Sequence, residues 1–137
     1  MDDLTLRARQ ESGVSVLVVC GDLDLGSGPR LDDCLVYLTA LGGGRIVLDA
    51  VGLTFCDAAG IRILLRGHAR ARARGGWLRL AGANRRLGRV LAITKLTGVL
   101  PVFDSVDDAV AGTLAAPGER VAQPTGKGLT LTAAGPD

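Results

Sequence analysis

The sequence predicts an α/β domain in which a mixed sheet of four to five strands carries helices packed largely on one side. Strand-like apolar runs alternate along the chain with segments whose apolar residues recur at helical spacing. The 137 residues suffice for one hydrophobic core and leave no room for a second. Aromatic residues make up only 3% of the chain, so we expect aliphatic side chains to fill that core.

The first third of the chain predicts a hairpin followed by a helix. Apolar and polar residues alternate over 4–8, as in an edge strand, and the apolar run 14–20 is typical of a buried strand. We expect residues 21–28 to form a glycine-rich loop and Pro29 to lie in the first turn of a helix, which stops at the glycines 42–44. The buried face of this helix is predicted to consist of Leu31, Cys34, Leu35, Leu38 and Leu41.

The middle of the chain predicts a central strand, a loop and a second helix. The β-branched run 45–49 forms the strand, and its end presents a loop that leads to Asp57. The Asp57 carboxylate is expected to cap the helix by accepting a hydrogen bond from a first-turn N–H and by complementing the helix dipole. The inward stripe of this helix is predicted to be Ile61, Leu64, Leu65, His68 and Ala69.

The last third predicts two more strands and two short helices. A strand covers 77–81, Asn84 caps a helix that runs to residue 91, and a final strand covers 100–103. Ser105 then caps a helix that continues to about residue 114.

The two ends of the chain differ from its middle. Residues 117–137 hold three of the five prolines and no sustained periodicity, which predicts a folded domain over 1–116 and a flexible tail after it. The amino terminus is acidic and no long apolar run follows it. We therefore expect neither a signal peptide nor membrane insertion, and a cytoplasmic location.

Residues with catalytic or metal-binding chemistry are few. His68 is the only histidine and is predicted to be a helix-packing residue rather than a base. Cys20, Cys34 and Cys56 are widely spaced and form no CxxC pair, so we expect three reduced, buried thiols and no zinc site. The sequence therefore predicts a protein that is not an enzyme and that holds no metal and no cofactor.

The strongest charge pattern is a ridge of arginines at every fourth position after Asp57. Three interpretations stay open: a solvated helix face, a surface for an acidic partner and, ranked third, a nucleic-acid footprint. Scarce aromatic residues and many aspartates argue against nucleic acid, so no direct nucleic-acid binding is predicted. The ridge consists of Arg62, Arg66, Arg70 and Arg74, with Arg72 alongside.

Three segments in order resemble one known family. Residues 53–65, with Asp57-Ala58-Ala59-Gly60 at a helix start, resemble the signature of the STAS domain, the fold of bacterial anti-sigma factor antagonists. Gly21-Asp22-Leu23-Asp24 resembles the Gly-Glu-Leu-Asp element of that family, with Asp22 in place of the usual Glu. Residues 84–91 and 96–105 are similar to the family's carboxy-terminal half. The resemblance covers about residues 4 to 115.

The resemblance implies a single STAS-like domain that binds a serine-kinase-type anti-sigma factor and so regulates transcription. In the family, phosphorylation of a Ser or Thr just after the motif Asp adds about two negative charges to the interface and blocks docking. The equivalent residue here is Ala58, and neither it nor Ala59 carries a hydroxyl. The partner-binding residues implied by the resemblance are Asp22, Asp24, Thr54, Asp57, Ala58, Ala59 and Arg62.

Other interpretations stay open beside this one. Thr54 offers a hydroxyl near the motif, although its expected role is to bond loop backbone at a strand end. A STAS-type subunit of a transport or sensory complex would use the same face to bind an ATPase or a scaffold. An enzyme with a small ligand would need a concave polar site, which the sequence does not indicate.

Overall fold

A computed structural model describes residues 3–41, 43–82, 85–96 and 98–112. Six strands and four helices lie within these ranges. The strands are β1 (Thr5–Glu11), β2 (Val14–Leu23), β3 (Arg45–Asp49), β4 (Leu53–Cys56), β5 (Trp77–Ala81) and β6 (Val102–Phe103). The helices are α1 (Gly28–Leu41), α2 (Ala58–Ala73), α3 (Arg85–Ile93) and α4 (Val106–Ala111).

The sheet is mixed, as predicted, and its main path runs β1-β2-β3-β5-β6. Only the β1–β2 hairpin is antiparallel among the described pairs, since each βαβ connection returns the chain in the same direction. The sixth strand, β4, pairs in parallel with residues 21–23 at the end of β2. The predicted count of four to five strands omitted β4, because its short sequence had been assigned to a loop.

Two predicted loops are therefore strands. Backbone pairing of Gly21, Asp22 and Leu23 with the segment Leu53–Cys56 extends the sheet beyond the residues of β2 that pair with β3. The predicted loop 21–28 shortens to the four residues that separate β2 from α1. The predicted loop before Asp57 becomes β4, which delivers the chain directly to the start of α2.

Most of the core lies on one face of the sheet. Helices α1, α2 and α3 cover that face with aliphatic side chains that include Leu31, Leu35, Leu64, Leu87 and Leu91. Of the described helices, only α4 packs on the other face, where Ala109 meets a smaller cluster of Val14, Val16, Val47, Ala81 and Phe103. The prediction that helices pack largely on one side is confirmed.

Arg79 fixes α4 to its face of the sheet. Its guanidinium carbon lies 3.5 Å from the centroid of the Trp77 ring, a cation–π distance. Its Nη1 donates to the carbonyl oxygen of Ala109 at 2.8 Å, near the carboxyl end of α4 where a cation is favoured. Partial burial lowers the pKa of Arg79 from its usual value.

Several predicted helix faces and ends are corrected. Leu41 is 51% exposed because it is the last residue of α1, past the packed residues Leu38 and Thr39. Ala69 is exposed, and Ile63 and Gly67 are buried instead. Gly67 was missed because glycine carries no hydrophobic signal, yet its missing side chain lets Leu35 of α1 approach.

The carboxy-terminal elements are shorter than predicted. The last strand is reduced to Val102–Phe103, and α4 ends at Ala111 with Gly112 as a left-handed C-cap at φ 75°. Ser105 caps α4 as predicted, since its Oγ accepts a hydrogen bond from the Asp108 N–H at 3.1 Å. The predicted cap at Asn84 and the predicted tail 117–137 lie outside the described residues.

His68 of α2 satisfies the backbone at the edge of β5. The N–H groups of Leu80 and Gly82 donate to β6 and its neighbour Pro101, but β6 is too short to reach Leu78. The Leu78 N–H donates instead to Nδ1 of His68 at 3.3 Å. Burial first, and then the charge of Arg72, lower the pKa of His68.

We expect the protein to lose stability as the pH falls from about 7.5 to 5. His68 is the only histidine, and its folded-state pKa lies below the unfolded value of about 6.5. The unfolded chain therefore takes up a proton first, so the stabilising contribution of neutral His68 is complete above that value and declines below it. Urea unfolding at several pH values measures the change.

His68→Asn is the matched variant for this prediction, because the Asn side chain retains an acceptor for the Leu78 N–H and does not titrate. Its stability should vary less between pH 7.5 and 5 than that of the parent chain. An equal dependence on pH in both proteins would show that other groups carry it.

Candidate functional site

The candidate site lies where the carboxyl ends of β2 and β4 meet the amino end of α2. Leu23, the last residue of β2, pairs with Cys56, the last residue of β4. The Asp57 N–H then donates to the carbonyl oxygen of Leu23 at 3.2 Å. The acidic segment 21–24 and the start of α2 are thereby brought together, as the sequence resemblance implied.

Asp57 is the N-cap of α2, as predicted. Its backbone is extended, with φ −98° and ψ −173°, and its Oδ1 accepts a hydrogen bond from the Gly60 N–H at 2.9 Å. Its carbonyl oxygen accepts from the Ile61 N–H at 3.0 Å. The cap thus satisfies a first-turn donor and fixes the direction in which α2 leaves the sheet.

Asp22 and Thr54 link the two strands beneath the site. The Thr54 hydroxyl donates to Oδ1 of Asp22 at 2.7 Å, although 32 residues separate them in sequence. Thr54 is exposed and Asp22 is half-buried. The prediction that Thr54 bonds loop backbone is wrong, because the residue lies on a strand beside β2 and its hydroxyl meets a carboxylate.

Asp24 organises the turn between β2 and α1. Its Oδ1 accepts hydrogen bonds from the N–H groups of Gly26 and Ser27, each at 3.0 Å. Hydrogen bonding to the Ser27 backbone, the largest effect, lowers the pKa of Asp24, while desolvation opposes it. Asp24 therefore presents a negative charge at a fixed place beside the site.

Ser27 is a site residue that the sequence analysis missed. Its Oγ donates to the carbonyl oxygen of Asp22 at 2.8 Å and accepts from the Asp24 N–H at 3.0 Å. Ser27 therefore ties the two acidic residues of this segment into one turn. The spacing Asp-x-x-Ser, two residues before Pro29, was a usable sequence signal for such a turn.

Ala58 and Ala59 begin the first turn of α2 beyond the cap, and Arg62 follows one turn later. Ala58 and Arg62 are exposed, and Ala59 is half-buried. Because Ala58 and Arg62 are four residues apart, they lie on the same outward face of the helix. The first helical residue therefore presents a methyl group to the surface, and one turn further a guanidinium follows.

Two apolar side chains at this end of the sheet were also missed. Leu25, in the turn held by Asp24, is 76% exposed, and Phe55 of β4 is 40% exposed. Each directly neighbours a predicted site residue in sequence, Asp24 and Thr54 respectively. Apolar groups beside fixed charges are typical of a protein-binding surface.

Cys56 supplies no nucleophile to the site. Burial first, and then the charge of Asp57, raise the pKa of Cys56 to about 12. The thiol therefore stays protonated at neutral pH, and its Sγ donates to the Asp57 carbonyl oxygen at 3.7 Å. All three cysteines are free, and each is half-buried rather than fully buried as predicted.

The structure divides the arginine ridge of α2. Arg62 and Arg74 are exposed, whereas Arg66 and Arg70 lie near one carboxylate, Asp32 of α1. The Asp32 Oδ1 is 3.5 Å from Arg70 Nη1 and 3.9 Å from Arg66 Nε. The interpretation of the whole ridge as a solvated face is wrong for Arg70, which is half-buried.

Neither a metal site nor a membrane-spanning helix is found among the described residues. No group of three or more His, Cys, Asp or Glu side chains within 3–41, 43–82, 85–96 and 98–112 is placed to hold a metal ion. Within the same ranges, no helix is both long and apolar enough to cross a membrane.

Comparison with known proteins places the chain in a family. The profile of the family described as Mlab, STAS domain, matches residues 6–101. The chain belongs to the STAS-domain family, and its relatives include anti-sigma factor antagonists.

A Mycobacterium tuberculosis protein described as an anti-anti-sigma factor is 32% identical over 117 residues, covering 82% of this chain and 79% of that protein. An anti-sigma factor antagonist from Mycobacterium paratuberculosis is similar in structure, with a TM-score of 0.69, 25% identity and coverage of 80% of this chain and 92% of the other. One from Thermotoga maritima has a TM-score of 0.72, with 17% identity and coverage of 77% and 91%, and supports the fold.

Gly60 allows α2 to approach β2 closely. A Cβ at this position would lie 2.8 Å from Cγ of Leu23, 2.9 Å from Sγ of Cys56 and 3.0 Å from the Leu23 carbonyl oxygen. The backbone oxygen cannot move without disturbing the strand pairing that builds the site. Only glycine fits here.

Gly60→Ala should therefore lower the free energy of unfolding by about 1–3 kcal/mol, the usual cost of overpacking. Gly88→Ala is the matched control, because a Cβ at Gly88 of α3 meets nothing within 4 Å and should be neutral or stabilising through helix propensity. Urea unfolding compares the two. A Gly60→Ala chain as stable as Gly88→Ala would contradict the close approach.

Proposed function

We propose that the protein binds a serine-kinase-type anti-sigma factor, releases the sigma factor held by it, and does so without phosphorylation at the usual position. Ala58 carries this proposal, since the first residue of α2 is exposed and ends in a methyl group. The proposal describes a bacterial cytoplasmic regulator of transcription that acts by binding and not by catalysis. Its docking face consists of Asp22, Asp24, Thr54, Asp57, Ala58, Ala59 and Arg62.

The order of the docking face supports a binding role. The Thr54–Asp22 hydrogen bond, the Asp57 cap and the Asp24 turn fix its polar groups before any partner arrives. A surface that is already ordered loses little conformational entropy on binding. Leu25 and Phe55 add exposed apolar area that a partner would remove from water.

The chemistry of position 58 explains why docking would be constitutive. A phosphate there would place about two negative charges at the interface, beside the carboxylate of Asp57. Alanine has no oxygen to accept a phosphoryl group, and its small side chain keeps the shape of the unphosphorylated state. The amount of protein, rather than its phosphorylation, would then set the amount of free sigma factor.

Ala58→Ser should convert the protein into a substrate of its anti-sigma kinase, whereas the parent chain should not be phosphorylated. The serine hydroxyl would be exposed at the helix start, where Ala58 is exposed now. Incubation with the anti-sigma factor and labelled ATP, followed by mass spectrometry of the peptides, measures this.

Thr54 is the internal control for this experiment, because its hydroxyl is exposed yet bonded to Asp22. Stoichiometric phosphate on Thr54 of the parent chain would show that the switch has moved rather than disappeared. That result would contradict constitutive docking.

Ala58→Asp should weaken binding of the anti-sigma factor by about 2 kcal/mol or more, which is roughly thirtyfold in Kd. The fold should survive, since an acid in the first turn of a helix is favourable or neutral toward the dipole. Ala69→Asp, at an exposed position three turns along α2, is the matched control and should bind as the parent does. Titration calorimetry measures affinity, and circular dichroism checks folding.

Unchanged affinity in a folded Ala58→Asp protein would place the partner's surface elsewhere. Affinity capture with the parent chain from the native cell tests the class of partner. Recovery of an ATPase or scaffold of a transport or sensory complex, in place of an anti-sigma factor, would replace the proposal with that alternative.

A further inference from the structure

Helix α1 has a second apolar face that points away from the core. Its buried side carries Leu31, Leu35 and Leu38. On the outer side Val36 is 45% exposed, Tyr37 is 65% exposed and Ala40 is also exposed. At 100° per residue these three positions span an arc of about 100° and form a stripe, and the exposed Asp33 lies within the same arc one turn before Tyr37.

Helix α2 runs beside α1 in the same direction. Near the start of both helices, a Cβ on Gly28 of α1 would meet Ile63 of α2. Further along both helices, a Cβ on Gly67 of α2 would meet Leu35 of α1. Asp32 lies in the seam between the helices, near Arg66 and Arg70. Val36 follows Asp32 by one turn, so the apolar stripe borders the arginine side of the seam.

The seam carries more positive than negative charge. One carboxylate, that of Asp32, faces the guanidinium groups of Arg66 and Arg70. Its Oδ1 lies 3.5 Å from Nη1 of Arg70, and these two atoms do not form a hydrogen bond. Arg66 keeps 56% of its side chain exposed, and Arg74 extends the ridge at the end of α2. With Asp33 of α1 also exposed here, three arginines face two aspartates, Asp32 and Asp33, and the surface keeps one net positive charge.

We propose that this seam surface, formed by Val36, Tyr37, Ala40, Arg66, Arg70 and Arg74, binds an acidic amphipathic helix of another protein. The apolar side of such a helix would cover Val36 and Tyr37. Its carboxylates would then lie along the arginine ridge, where charge-assisted hydrogen bonds favour Arg. The proposal does not rest on the docking face, because it uses the outer sides of α1 and α2 rather than the turn and cap at the start of α2.

Charge distinguishes this occupant from two others. A second copy of the chain would bring one arginine ridge toward another, which costs free energy. The segment 113–137 of this chain contains two acidic and two basic residues, Glu119, Asp137, Arg120 and Lys127, and therefore has no net charge to offer. An acidic amphipathic helix from a different protein matches both the apolar stripe and the positive charge of the surface.

Site-specific photo-cross-linking tests the proposal in the full chain. Tyr37 is replaced by the photo-reactive residue p-benzoylphenylalanine in cells that produce the protein naturally, and the cross-linked peptides are sequenced by mass spectrometry. We expect an acidic segment with helical apolar periodicity from another protein. A cross-link to a second copy, to residues 113–137 or to lipid, or no cross-link, would overturn the proposal.

Binding of that segment as a synthetic peptide gives the quantitative test. Tyr37→Ser and Arg66→Gln should each raise its Kd about tenfold, whereas Ile93→Ser, at a residue of α3 that is 72% exposed, should leave it unchanged. Equal effects of all three variants would also overturn the proposal. Ala58→Asp should leave the cross-link at position 37 intact, so failure of the docking face and failure of the seam surface give different results.

Discussion

The parallel pairing of β4 with the end of β2 is the contact on which the site depends. It joins residues that are about thirty positions apart in the chain, and it sets the point from which α2 departs. The Asp57 N–H continues this pairing by donating to Leu23, so the strand ladder leads directly into the helix cap. Both halves of the proposed docking face are therefore parts of one hydrogen-bonded unit.

Two glycines of α2 make this arrangement possible. Gly60 lets the first turn of α2 rest against Leu23 and Cys56, and Gly67 lets the next turns rest against Leu35 of α1. The same helix thus contacts the sheet and its neighbouring helix with little space between the backbones. A rigid α2 holds Ala58 and Arg62 at fixed positions, which supports recognition by a preorganised surface.

The alternating pattern of the chain predicted most of the fold, because period-2 and period-3.6 apolar spacing report directly on burial. The Asp57 cap followed from a local rule and was correct. The strand Leu53–Cys56 was missed because four residues contain too little periodicity, and its partner is distant in sequence. The Thr54–Asp22 contact and the close approach at Gly60 depend on that pairing, so local patterns held no signal for them.

The arginine ridge shows a different limit of sequence patterns. Spacing placed four arginines on one face of α2, but the location of Asp32 on α1 decided which of them are paired. The face was predicted from period alone, whereas the pairing depended on the parallel packing of two helices. The sequence therefore predicts which charges share a helix face, but the ion pairs that neutralise them require the tertiary packing.

The histidine at the edge of β5 has a consequence for how molecules of this protein meet. Strand β6 spans two residues, so the Leu78 N–H on that side of β5 has no partner in β6, and an unpaired strand N–H is a template for a strand from another chain. The imidazole of His68, on helix α2, accepts the hydrogen bond of this N–H instead. An incoming strand could pair with Leu78 only by displacing a ring that packed α2 carries, so His68 opposes extension of the sheet at this position.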